Sequence, residues 1–403
     1  MRRMPRLYIA DERAIKSGEA TDIYFLRAKT ILEKTGASST RVVAEIHSYG
    51  LPEGYEWAVF TGLEEVVYLL EGVPVDLYAM PEGTVFRAME PVARIEGAYG
   101  DFGVYEPAIL GMLRHSTSVS TKAARVKLAA NGKPVLFFGI RCVHPAISPM
   151  VDRAAYVGGC DAVSGVAGAV MLELEPTGTM PHALMLVLGD EKKAWKLFHE
   201  VMPENVPRIA LVDTFFDERV EALEAAETLG KNLYGVRLDT PSSRRGNMRK
   251  IVQEVRWTLD IHGHRHVKIF VSGGLDEKNV MELVDLVDGF GVGTSIAFPP
   301  SIDLALDIVE KDGEPLSKRG KLPGRKQVYR CEKLHDTVVP WDKVVEKCVV
   351  CGGPVEPLVK QILSKGKLVS DLPDAKKVRE HVLGQVEKLA SADISKWGPV
   401  FSG

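Results

Sequence analysis

From Lys133 to Ile296 short apolar runs alternate with longer helical patterns, and every run ends in small or polar residues. VLFFG, DAVSG, RIALVD, YGVRLD, KIFVSG and GFGVG read as buried strands, with another candidate near Glu173. Apolar runs of roughly four to eight residues bounded by turn formers suit strands covered on both faces. Between them, Ser148 followed by Pro149 opens one helix, ERVEALEAAETLG makes a second and NMRKIVQEVRWTLDIHG a third. In the third, Met248, Ile251, Val252, Val255 and Leu259 fall on one face. Six or seven strand-helix units of this length predict an α/β fold, an incomplete or irregular (β/α) barrel rather than an open sheet.

The N-terminal part has a different texture. ATDIYFLRAKTILEKTG predicts a helix capped by Thr21 or Asp22 and stopped at Gly36, with Ile23, Leu26, Thr30 and Ile31 on one face and Tyr24 off it. From Arg41 to Glu106 the runs VVAEIHSYG, WAVFTG, VYLLEG, VDLYAMPEGTVF and VARIEG, broken by Gly and Pro, predict a small, mostly β domain of hairpins. Glu106 to Lys133 then reads as one long helix or a pair, on which Lys122 and Arg125 either serve an anionic ligand or are simply solvated. Past Asp303 the barrel pattern stops. Lys318 to Lys326 is a basic loop, a cysteine cluster follows, and Asp374 to Leu389 is an amphipathic helix. The expected division is residues 1–132 as an N-terminal α+β domain, 133–303 as the barrel and 304–403 as a small C-terminal region.

The stretch from Ile269 to Ile296, IFVSGGLDEKNVMELVDLVDGFGVGTSI, carries the first chemical signal. One strand ends at Ser272, Gly273 and Gly274; a helix capped by Asp276 turns Val280, Leu283, Val284 and Val287 inward; a second strand ends at Gly291, Gly293 and Thr294. Two such loops at the same end of neighbouring parallel strands present backbone N–H groups that no side chain shields, and these can converge on one phosphate. The pair predicts a sugar-phosphate site, with two ordinary tight turns as the plainer alternative.

The chain of 403 residues is 45% hydrophobic with a net charge of -3. That suits a globular protein with a sizeable core and sets nucleic acid aside as its main partner. No stretch reaches the roughly 18 apolar residues of a membrane span. Met1 to Pro5 is basic with no apolar segment after it, so no signal peptide is read. Five cysteines, three of them close together, suit a reducing cytoplasm and a metal site rather than disulfides.

CEKLHDTVVPWDKVVEKCVVCGG sets Cys331, His335, Cys348 and Cys351 as two half-sites. The second half, CxxCGG, is a knuckle whose turn aims two thiolates at one ion. In the first half Leu334 stands where a second cysteine is usual, so His335 is the substitute ligand. Thiolate and imidazole donors point to Zn²⁺, and four of them close the shell, which makes the ion structural.

The ends of the barrel strands face the mouth where a substrate binds. They supply Phe138 and Arg141, Ser164, Thr179 and His182 in GTMPH, Asp213 and Thr214, and Arg237, Asp239 and Thr240. Arginines suit phosphoryl oxygens, carboxylates suit Mg²⁺ or sugar hydroxyls, and an aromatic face suits a flat heterocycle.

At these residues the chain resembles the nicotinate phosphoribosyltransferases, of the type II phosphoribosyltransferase group, through TDIY, FGIR, GGCDAVSGV, GTMPH, LVDT, VRLDT, SGGLD and GFGVGT in order from Thr21 to Thr294. The zinc-knuckle tail is similar to that of the archaeal members. The resemblance implies an enzyme of NAD salvage that joins nicotinate to phosphoribosyl pyrophosphate with Mg²⁺, coupled to ATP hydrolysis. Nicotinate would stack between Phe138 and Tyr24 from a second subunit, which requires at least a homodimer, with Arg141 and Ser164 at its carboxylate. His182 matches the transiently phosphorylated histidine. Arg237 and Asp239 would hold ribose and phosphates, and the two glycine loops the 5'-phosphate.

The chain also departs from the family pattern. Cys142 stands where a second arginine is common, VSG replaces TSN so that Gly165 stands for Asn, and TPSSRRGN follows Asp239 in place of SGD. Arg244 or Arg245 then becomes a candidate for the pyrophosphate. Two rival functions remain in view. Quinolinate phosphoribosyltransferase has the same architecture but needs extra basic residues for a second carboxylate. A non-catalytic zinc-knuckle interaction protein on a degenerate barrel would not need the dense polar mouth.

Overall fold

In a computed structural model the described residues are 7–391 and 399–401. The basic Met1 to Pro5 segment, read above for a leader, lies outside them. The chain forms two compact units: residues up to Thr121 together with those from Pro300 onward, and Lys122–Pro299 between them. Residues 304–403 therefore do not stand as a region of their own, as the division into 1–132, 133–303 and 304–403 expected. The reason is strand pairing. Leu304–Lys311 runs antiparallel to Arg41–Ser48, and Lys360–Ser364 runs antiparallel to Asp76–Ala79.

The first unit is built on a seven-stranded antiparallel sheet in the order Glu314–Pro315, Leu304–Lys311, Arg41–Ser48, Pro91–Ala98, Asp76–Ala79, Lys360–Ser364, Lys367–Leu368. Three of its six pairings join strands distant in sequence, so it is not the run of hairpins expected. VYLLEG, expected as a strand, is the end of the helix Leu63–Leu70. Leu63, Val66, Val67 and Leu70 recur at helical spacing and are all buried, and a strand would have turned half of them to water. They join Ile46, Phe60, Leu77, Met80 and Ile95 in one core.

The helix Ile23–Thr35 forms as expected and ends at Gly36 in the left-handed conformation, φ +74°. The apolar face read for it is not buried. Ile23, Leu26 and Ile31 are exposed, and Phe25 is the buried residue. Glu106–Ala129 is one long helix. Ala375–Ser391 is the C-terminal helix, with Asp374 accepting from the N–H of Lys377.

The second unit holds a six-stranded, wholly parallel sheet in the order Ala162–Val163, Val135–Phe137, Gly289–Val292, Lys268–Val271, Gly235–Leu238, Ile209–Leu211. All six named strand runs form. The sheet does not close, because no strand forms near Glu173. That residue has φ +56°, and the chain from Gly165 to Pro207 carries the helices Val166–Met171, His182–Leu188 and Glu191–Val201 instead. The result is a parallel half-barrel. Its helices attach by their apolar stripes: Met248, Val252, Val255 and Leu259 of Met248–Ile261 are buried, each contributing ~1.5–3 kcal/mol. Asp276 and Asn279 form a capping box on Glu277–Leu283, which stops sooner than expected. Among the described residues no helix is long and apolar enough to cross a membrane.

Candidate active site

The strands Lys268–Val271 and Gly289–Val292 are parallel neighbours, so the loops that follow them emerge side by side. Ser272, Gly273 and Gly274 from one, and Gly293 and Thr294 from the other, line a single cavity of about 540 Å³ in the half-barrel. Gly273 and Gly274 take φ of +84° and +62°, a conformation that costs a side-chain-bearing residue strain and leaves the peptide edge bare. Gly291 lacks a side chain for another reason: a Cβ there would lie 2.5 Å from the Phe138 ring and 3.0 Å from Ser272 Cβ. It makes room for the aromatic, a role its sequence did not suggest.

Phe138 and Arg141 enter the same cavity from the loop after Val135–Phe137, and Ser164 from the loop after Ala162–Val163. The Arg237 guanidinium lies 5.7 Å from the Phe138 ring centre, within cation–π range, and donates to the Met180 carbonyl at 3.0 Å. Burial lowers its pKa from the ordinary arginine value.

Thr179 and His182 line the same cavity. His182 begins the helix His182–Leu188 and sits among three oxygens: Thr214 Oγ1 is 3.2 Å from Nδ1, while Asp213 and Asp239 carboxylates are 3.5 and 3.8 Å from Nε2. At those last distances the carboxylates act as charges rather than as formed hydrogen bonds. The approach of Asp239 raises the imidazole pKa, burial opposes it, and the Asp213 charge adds to the rise. Asp239 accepts from Ser272 Oγ at 2.6 Å, and its N–H donates to Asp213 at 2.9 Å. Burial pushes Asp239 up, but the nearby His182 imidazole, the bond from Ser272 and the Arg237 charge outweigh that and hold it below the ordinary value. Burial dominates at Asp213, whose pKa is pushed up to about 6.

Asp213 and Thr214 thus stand behind His182 and not on the cavity wall. Thr240 is buried and donates to Glu218 at 2.6 Å. Arg245, a candidate for the pyrophosphate, donates to the carbonyls of Thr240 and Gly273 and ties two loops together, and Arg244 is exposed. Lys122 and Arg125 both pair with Glu277. Tyr24 lies in the other unit, 58% exposed.

One contributor escaped the sequence reading. Glu221, buried on the helix Glu218–Leu229, accepts from the N–H groups of Thr214, Phe215 and Phe216 at 2.6 to 3.0 Å and so fixes the loop that carries Asp213 and Thr214. In sequence it looks like one more surface acid in ERVEALE. Its place in the first turn after a strand-end LVDTFFD was the signal available.

In the first unit Cys331, His335, Cys348 and Cys351 bring their donor atoms within 4.8 Å of one another. Cys331 Sγ and Cys348 Sγ are 3.5 and 3.8 Å from His335 Nδ1, and Cys351 Sγ is 3.7 Å from Cys331 Sγ. Zinc at ~2.3 Å from sulfur and ~2.0 Å from nitrogen requires tetrahedral edges of about 3.5–3.8 Å, which these separations match. Leu334, in the left-handed region at φ +61°, turns the first half-site, and Arg87 bonds its carbonyl at 2.8 Å.

Residues 22–117 match the family model for the quinolinate phosphoribosyl transferase N-terminal domain, and residues 119–307 match that for its C-terminal domain. A nicotinate phosphoribosyltransferase of Mycobacterium tuberculosis is 30% identical, and the match covers 87% of this chain and 82% of the relative. The chain belongs to the nicotinate phosphoribosyltransferase family. This phosphoribosyltransferase is also similar to a solved structure, the nicotinate-nucleotide pyrophosphorylase from Pyrococcus furiosus, with 57% identity and a TM-score of 0.95 over 97% of this chain and 100% of that one. Human nicotinic acid phosphoribosyltransferase, 19% identical with a TM-score of 0.78 over 95% and 97% of the two chains, shares the fold. The cysteine cluster of this phosphoribosyltransferase lies beyond residue 307, outside both family models.

Proposed function

We propose that this enzyme transfers the phosphoribosyl group of phosphoribosyl pyrophosphate to nicotinate, giving nicotinate mononucleotide and pyrophosphate. One observation carries the reading: a single cavity joins two bare-backbone loops suited to a 5'-phosphate with an aromatic face flanked by Arg141 and Arg237. As pyrophosphate departs, C1 of the ribose gains oxocarbenium character and the unprotonated pyridine nitrogen bonds to it, so no general base is needed. The protein positions the two substrates and stabilises the leaving group. Mg²⁺ arrives with phosphoribosyl pyrophosphate, and Asp239 is the cavity carboxylate suited to face it.

Quinolinate is the second reading. Arg141 and Arg237 are the arginines among the described lining residues, and Arg237 is turned to the Phe138 ring, so a second ring carboxylate lacks an evident cation. Turnover of purified enzyme with phosphoribosyl pyrophosphate, Mg²⁺ and either acid decides the matter. Nicotinate should be used and quinolinate not; product from quinolinate alone reverses the assignment.

ATP coupling is proposed to run through His182. The ring stands with Nδ1 beside the Thr214 hydroxyl and Nε2 toward the Asp213 and Asp239 charges, and in its neutral form it has one lone pair to offer a phosphoryl group. His182→Ala should abolish stimulation by ATP and leave slow ATP-independent synthesis. Zn²⁺ is proposed for the Cys331, His335, Cys348 and Cys351 cluster as a structural ion, on the strength of its donor set and spacing. A homodimer is proposed to bring Tyr24 of one copy to the cavity of the other; Ile23, Tyr24, Leu26 and Ile31 leave the helix Ile23–Thr35 with exposed apolar surface for such a contact.

A further inference from the structure

Asp152 lies on the helix Ser148–Val157 of the half-barrel unit and is fully buried. Neither of its carboxyl oxygens has a hydrogen-bond partner among the described residues. Burying a polar group unbonded is unfavourable, so a residue serving only to fill a helix interface would be small or apolar. Burial pushes the Asp152 pKa up to about 6.

The carboxyl occupies space that two other side chains would claim. A Cβ at position 165 or at position 168 would fall well inside contact distance of Asp152 Oδ2, and glycine stands at both. Gly165 directly follows Ser164, whose side chain lines the cavity, and it precedes the short helix Val166–Met171. The buried acid therefore presses against the backbone that carries a cavity-lining hydroxyl.

We propose that Asp152 is a positioning residue for the acid end of the ring substrate: its carboxyl takes the place of the side chain missing at position 165 and sets the backbone that presents Ser164. The proposal rests on the reading of Ser164 as part of the nicotinate carboxylate end. It predicts that removing the acid costs recognition of one substrate and not the fold.

The experiment compares wild type, Asp152→Ala, Gly165→Ala and the double variant, each by thermal melting and by KM for nicotinate and for phosphoribosyl pyrophosphate. Asp152→Ala should melt no lower than wild type, since an unbonded buried acid is gone, while KM for nicotinate rises about tenfold and KM for phosphoribosyl pyrophosphate is unchanged. Gly165→Ala, which drives a methyl against the carboxyl, should raise the same KM. The double variant should return it to within about threefold of wild type, because the methyl enters the vacated space. If Asp152→Ala yields no folded protein, Asp152→Ser carries the same comparison. Lower melting with both KM values unchanged leaves Asp152 merely structural and overturns the proposal, as does simple additivity of the two substitutions. Wild-type turnover of nicotinate is measured first. Its absence removes the functional reading itself, whereas turnover with an unshifted KM in the variants removes only the role of Asp152.

Discussion

Substituting Gly291 with Ala tests how the ring of the substrate is held. A Cβ at 291 would lie 2.5 Å from Phe138 Cε2 and 2.6 Å from Cδ2, and Ser272 Cβ, at 3.0 Å, crowds the same point. Carbon atoms in ordinary contact are ~3.5–4.0 Å apart, so the Phe138 ring has to retreat by about 1 Å. Forcing a methyl into a packed site costs about 1–3 kcal/mol. Since each ~1.4 kcal/mol is tenfold in binding, KM for nicotinate should rise about 5- to 140-fold if ring displacement relieves the strain. KM for phosphoribosyl pyrophosphate should stay put, because Gly273, Gly274, Gly293 and Thr294 keep their own backbones. Steady-state kinetics with each substrate varied in turn, on protein shown to be folded by circular dichroism, makes the measurement. A nicotinate KM within about twofold of the parent would refute Phe138 as the floor of the ring site.

Other outcomes follow from the same geometry. Glu221→Gln replaces a carboxylate that accepts three backbone N–H groups. Losing part of a set of charge-assisted bonds worth ~1.5–3 kcal/mol each should lower the ATP-stimulated rate about tenfold or more and reduce Tm by several degrees, read from kcat with and without ATP and from a melt. Phosphoryl acceptance needs a neutral His182, so the ATP-stimulated rate should rise with pH through an apparent pKa above 6.5, and Asp213→Asn should shift that midpoint downward. The stability that protonated His182 contributes is fully present below about 6.5 and is lost as pH climbs through the raised value, so Tm should fall over that same window in wild type and not in His182→Ala. Metal analysis should find about one zinc per chain, and stripping it or substituting Cys348 with Ala should lower Tm with little change in KM for nicotinate.

What sequence revealed was local. The six strand runs, the glycine loops at Gly273 and Gly293, Phe138 beside Arg141, and the Cys and His half-sites are each legible within a few residues, because strand ends and turns impose their own residue types. What stayed hidden depended on partners far along the chain. Asp152 and Glu221 look like surface acids on helices, and only the backbone each one meets shows otherwise. VYLLEG suited either period until Leu63 and Val66 were counted with it. The apolar face of Ile23–Thr35 was correctly seen as apolar, but a single copy of the chain does not bury it.

The first unit is interrupted, with the whole half-barrel inserted between Thr121 and Pro300. A chain emerging from the ribosome and still short of that proline has, of the seven-stranded sheet, Arg41–Ser48, Pro91–Ala98 and Asp76–Ala79, and both margins of that trio lack the strands that later cover them. Bare margins of this kind invite pairing with other nascent chains. The half-barrel can meanwhile complete itself from contiguous sequence. Completion of the first unit's sheet therefore waits for strands that leave the ribosome only after the whole half-barrel has done so.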